Sequence, residues 1–114
     1  MTSPLDPRDI DYFTGHYSGL LAYALSERLG WPVVYYYVEG EKRWRAVTVQ
    51  APNGSELSAV GFAPSKGDYF ERRVDAKADI ELLRSYYEQS MTRDIIDKAA
   101  DKLAAFAEPG LAQT

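Results

Sequence analysis

Gly30-Trp31-Pro32 runs directly into Val33-Val34-Tyr35-Tyr36-Tyr37-Val38, a stretch of branched and aromatic residues of strand length. Glycine closes a preceding helix in the left-handed conformation, and proline blocks its continuation. A helix must therefore end and a strand begin within three residues. Before the stop, Ser18, Leu21, Ala22, Leu25 and Leu29 recur at helical spacing on one face, while Glu27 and Arg28 suit solvent. Thr14 is the expected N-cap, and Asp9 or Asp11 the cap of a short first turn. After the stop, Val34, Tyr36 and Val38 point one way and Tyr35 and Tyr37 the other.

The rest of the chain follows from local signals. Glu39-Gly40-Glu41 reverses the chain, and Arg43–Gln50 returns as a second strand. Pro52 fixes φ and Asn53-Gly54 tolerates positive φ, so Ala51–Gly54 is a turn. Glu56–Phe62 then makes a third strand, and such short connections demand an antiparallel meander. Asp75–Gln89 predicts a helix presenting Ile80, Leu83 and Tyr87. Ser90 or Thr92 caps a last helix with the stripe Ile95, Ile96, Ala99, Leu103 and Phe106, ended by Pro109-Gly110. The expected architecture is α+β: an N-terminal helix, a three-stranded antiparallel meander, and two C-terminal helices packed on the sheet. Residues 1–8 read as a flexible lead, 9–108 as a single domain and 109–114 as a frayed tail.

Composition narrows the chemistry. The chain of 114 residues has no cysteine and one histidine, His16. That removes disulfides, thiolate catalysis and zinc–thiolate sites. No cofactor or metal is expected. No apolar run approaches the roughly 18 residues of a membrane span, and the first residues lack a signal-peptide pattern, so a cytoplasmic location is expected. A net charge of −4 disfavours nucleic acid as the main partner.

Four fragments carry a resemblance: Leu21-Ala22-Tyr23-Ala24-Leu25, Gly30-Trp31-Pro32, Pro52-Asn53-Gly54 and Leu57-Ser58-Ala59-Val60-Gly61. Their order and separation over residues 13–61 resemble small bacterial and phage-type proteins with a papain-like or transglutaminase-like cysteine-hydrolase core. The last two helices lie outside the resemblance. In that family a cysteine at the helix start works with a histidine and an acid from the following strands. Position by position, the cysteine falls on Ser18, the histidine on Ala46 (or Arg45 with a one-residue slip) and the acid on Ser58. Such chemistry needs a thiolate, a base and an orienting group, and all three are missing. The resemblance implies a pseudoenzyme on a degenerate scaffold.

Three functional readings follow. A non-catalytic binding module, engaging a protein partner or a second copy, would use an aromatic surface of Tyr35, Tyr37 and Trp44, with Arg43 and Arg45 as orienting charges. An inhibitory or accessory role, of the phage counter-defence or immunity type, belongs to this class. A hydrolase or transferase would use Ser18 as nucleophile and His16 as base, although residues two apart on a helix do not share a face. The simpler reading makes Ser18 a small packing residue and His16 a helix-start residue. A nucleic-acid module would use the basic-aromatic hairpin at 42–45.

Overall fold

The helix stop at Gly30 behaves as its chemistry requires. Gly30 adopts φ +72° and its N–H donates to Ser26 O at 2.8 Å. Ser26 Oγ donates to Trp31 O at 2.7 Å, fixing the exit direction. The computed structural model describes residues 3–14, 17–37, 44–63, 71–74 and 77–112. In chain order they form α1 (Pro7–Phe13), α2 (Ser18–Leu29), β1 (Val33–Tyr37), β2 (Trp44–Gln50), β3 (Glu56–Ser58), β4 (Gly61–Ala63), β5 (Glu71–Val74), α3 (Lys77–Gln89) and α4 (Arg93–Ala112).

The fold is α+β with an antiparallel sheet, and the sheet has five strands instead of three, in the order β4-β3-β2-β1-β5. Two local effects make the difference. The expected third strand is broken after Ser58, where Gly61 takes φ +91° and starts β4 running back along β3. The second effect is β5, Glu71-Arg72-Arg73-Val74, whose charges hide it as a strand. Such charges suit a sheet edge, where they discourage pairing with other chains. Its pairing with β1 makes β1 interior, flanked by β2 and β5. All five β1 residues are buried as a result.

Helix α2 is enclosed rather than amphipathic. Every residue from Ser18 to Leu25 is buried, as expected of a helix covered all round. It packs against β1, β2 and β3 on one side and against α3 and α4 on the other. Gly19, Ala22 and Ala24 keep the helix narrow enough for both contacts. The two C-terminal helices therefore reach the core mainly through α2. Leu83, Ile96, Ala99, Ala100 and Leu103 join Val33, Tyr35, Tyr37, Val47, Val49 and Leu57 in one cluster. An aromatic row reinforces it, with Phe62 6.2 Å from Trp31 and 5.9 Å from Phe106 between ring centroids.

The boundaries also shift. The lead is structured from Ser3: its Oγ donates to Ala59 O at 2.5 Å, and Leu5 is buried in the core. Asp6, not Asp9 or Asp11, caps the first helix, its carboxylate accepting from Arg8 N and Asp9 N. Pro7 at the first helical position loses no bond, because that N–H has no intrahelical partner. Thr14 follows α1 and bonds back to Asp11 O instead of capping α2. Thr92 precedes α4 and its carbonyl accepts from Ile95 N and Ile96 N. Helix α4 continues through Pro109-Gly110 to Ala112. Proline's fixed φ of about −65° is itself helical, and in a last turn it removes only one donor.

One polar cluster ties the helices together. Arg28 in the last turn of α2 bonds Asp101 at 2.6 Å and Ala24 O at 3.1 Å, with Asp97 at 3.4 Å. Burial opposes the guanidinium charge, but Asp101 and Asp97 outweigh it and hold the Arg28 pKa above its usual value. Tyr87 donates to Asp97 at 2.5 Å. That bond, partial burial and the Asp97 charge raise the phenol above its ordinary range. The folded chain thus holds this proton more tightly than the unfolded chain. The stabilisation is complete below the unfolded value of about 10 and vanishes as pH rises through the folded value. Tyr87→Phe should therefore make the alkaline fall in stability shallower, as read from urea midpoints above about pH 9.

Candidate functional site

Ser18 is the first residue of α2. In a helix every Cα–Cβ bond tilts toward the N-terminus, so a side chain at this position lies by the helix start. Ser18 is only 7% exposed, and its Oγ has no hydrogen-bond partner among the described residues. Tyr17 stands at the N-cap and makes no side-chain capping bond. His16, the base of the catalytic reading, lies outside the described residues.

Of the other two triad positions, Ser58 does not converge on Ser18. Side chains of β1 alternate between two sheet faces. Val33, Tyr35 and Tyr37 join the core with α2, whereas Val34 and Tyr36 are equally buried outside that core. Position 46 pairs with Tyr36, and two residues on, Thr48 bonds Glu56 together with Tyr36. Ser58 follows Glu56 at strand spacing, with core-facing Leu57 between them. By register, Ser58 belongs to the sheet face away from α2, while the side chain at position 46 falls outside the described part. Ser58 Oγ instead accepts from Val60 N at 3.4 Å within its turn. Among the described residues, Ser18 has no base within reach, and an alcohol without one is a poor nucleophile.

The expected aromatic surface is also corrected. Tyr35 and Tyr37 are core residues, at 0% and 6% exposure. They lie on the sheet face that α2 covers, which is why they are core residues and not a surface. Arg73 of β5 lies 4.4 Å from the Tyr37 ring centroid in a cation–π contact. Arg43 lies outside the described residues. Trp44 and Arg45 belong to β2, and their side chains fall outside the described part.

Sequence reasoning missed two features. The first is a buried polar cluster on the far sheet face. Glu56 is 3% exposed, and both its oxygens lie 2.5 Å from Tyr36 Oη. Thr48 Oγ1 donates to Glu56 Oε1 at 2.7 Å. The available signal was the Glu-Leu-Ser alternation of β3, which sets an acid opposite the core-facing Leu57.

The second is an exposed apolar patch at the amino end of α2. The Tyr17 ring stacks on Tyr12 at 4.4 Å between centroids. Tyr12 Oη in turn donates to Thr92 Oγ1 at 3.0 Å. Thr92 is flanked by Met91, fully exposed, and receives the N–H of Ile95, 43% exposed. These contacts place Tyr17, Tyr12, Met91 and Ile95 around one junction of α1, α2 and α4.

Other chemistry finds little footing. Among the described residues, no cluster of histidine, cysteine, aspartate or glutamate can hold a metal ion. No helix among them is long and apolar enough to cross a membrane. A shallow depression beside Trp31, Pro32 and Pro52 is open to solvent and lined by no titratable side chain. Comparison of the chain with known families, curated proteins and solved structures returns no significant match.

Proposed function

We propose that the protein is a non-catalytic protein-binding module, its helix and antiparallel strands a papain-like frame without a convergent triad. The observation that carries this reading is that no base lies beside the Ser18 hydroxyl among the described residues. A serine nucleophile needs a proton acceptor within reach. The binding surface is the patch of Tyr12, Tyr17, Met91 and Ile95, in place of the tyrosines of β1.

The occupant we assign is a second copy of the chain. At about 200 Å² for a whole large side chain, the exposed fractions leave about 400 Å² of largely apolar surface. Exposed patches of that size often mark interaction sites. A specific interface needs about 800 Å² per partner, which the polar rim must complete. Arg93 and Asp94 are both exposed beside the patch. Across a two-fold contact, each can meet the opposite charge on the other copy. On a chain of net charge −4, such crossed pairs offset the like-charge repulsion between two copies.

Size exclusion with light scattering tests this directly. The expected result is a dimer whose dissociation constant rises by at least about tenfold in Met91→Asp/Ile95→Asp, a change of about 1.4 kcal/mol or more. A monomer at every concentration would reject the second copy as occupant. Specific labelling of Ser18 by a serine-directed covalent probe would reject the non-catalytic reading itself.

A further inference from the structure

We infer that the amino end of α2 is a binding site for a carboxylate, held by the Ser18 hydroxyl and the leading amides of the helix. Two independent observations meet there. The first N–H groups of an α-helix have no intrahelical acceptor, and the N-cap residue Tyr17 offers no side-chain bond to them. Ser18, at the first helical position, is more than nine-tenths buried and its hydroxyl has no partner among the described residues. A buried hydroxyl left unpaired is costly, and alanine would pack in the same space without that cost. No described residue supplies the missing partner, which we assign to a hydrogen-bond acceptor arriving from outside the fold.

The helix specifies the acceptor's charge. A helix N-terminus carries about half a positive charge and stabilises anions placed against its amides. Half a charge and one hydroxyl suit a singly charged, planar group better than a dianion. The two oxygens of a carboxylate can accept from the hydroxyl and from a backbone N–H together. Rotation of Ser18 about χ1 moves its oxygen between staggered positions, so the hydroxyl can turn to an arriving ligand without backbone movement. Gly19, the second helical residue, has no side chain to obstruct the approach.

This site does not depend on dimerisation, and its test reads the helix itself. Acetate is titrated into the ¹⁵N-labelled protein at constant ionic strength, with chloride as the balancing anion. The Ser18, Gly19 and Leu20 amides should show saturable shifts, and Ser18→Ala should weaken the affinity by at least about tenfold. An otherwise unchanged spectrum will verify that the variant is folded. A parallel titration with acetyl-alanyl-alanine separates the sources: tighter binding than acetate assigns the site to a chain-terminal carboxylate, and equal binding assigns it to a free acid. Shifts that do not saturate, that chloride reproduces, or that persist unchanged in Ser18→Ala would overturn the inference.

Discussion

Replacing Leu103 by alanine should destabilise the protein by about 2–5 kcal/mol. Leu103 lies in α4, is fully buried, and belongs to the same cluster as Leu25 of α2 and Val49 of β2. Truncation there removes apolar contacts and leaves a cavity beside a helix that is itself enclosed, so little chain is free to collapse into the gap. Leu82→Ala on the 40% exposed side of α3 is the control and should stay within about 0.5 kcal/mol. Urea denaturation of both variants separates the outcomes. A loss below about 0.5 kcal/mol at Leu103 would show that α4 is not docked as described.

The second large effect is expected at Glu56. Glu56→Ala removes an acceptor shared by Tyr36 and Thr48, leaving the buried Tyr36 hydroxyl to find another. The expected cost is about 2–3 kcal/mol, the range for hydrogen bonds to a charged group and for stranding a buried donor. Tyr36→Phe removes the donor instead and should cost about 1.5–3 kcal/mol. Because the two groups share one bond, the double variant should lose less than the sum of the single losses. Strict additivity in that cycle would mean that the bond contributes nothing to the folded state.

Local chemistry made much of the backbone legible. Gly30 with Pro32, and Pro52-Asn53-Gly54, specify their own dihedral angles, so the helix stop and the β2–β3 turn follow from residue type. Gly54 takes φ +91° and its N–H returns to Ala51 O, as a turn requires. Elements decided by distant partners were not legible. Glu71–Val74 has a polar pattern and becomes a strand only because β1 offers it an edge. Tyr35 and Tyr37 are core residues because their sheet face is the one α2 covers, a packing that strand alternation alone does not reveal. Ser18 was visible as a site candidate because the family resemblance sets a nucleophile position on it. Its unpaired hydroxyl, and the assembly of Tyr12, Tyr17, Met91 and Ile95 from two distant parts of the chain, are properties of the assembled fold.

The enclosure of α2 has a consequence for biosynthesis. The residues that cover its second side, on α3 and α4, leave the ribosome long after α2 itself. A nascent chain that already holds the α2–β1–β2 unit must keep Leu20, Leu21 and Leu25 partly uncovered until the final segment emerges. Apolar surface left waiting in this way invites aggregation, so stalled or prematurely terminated products should be far more prone to aggregate than the completed polypeptide.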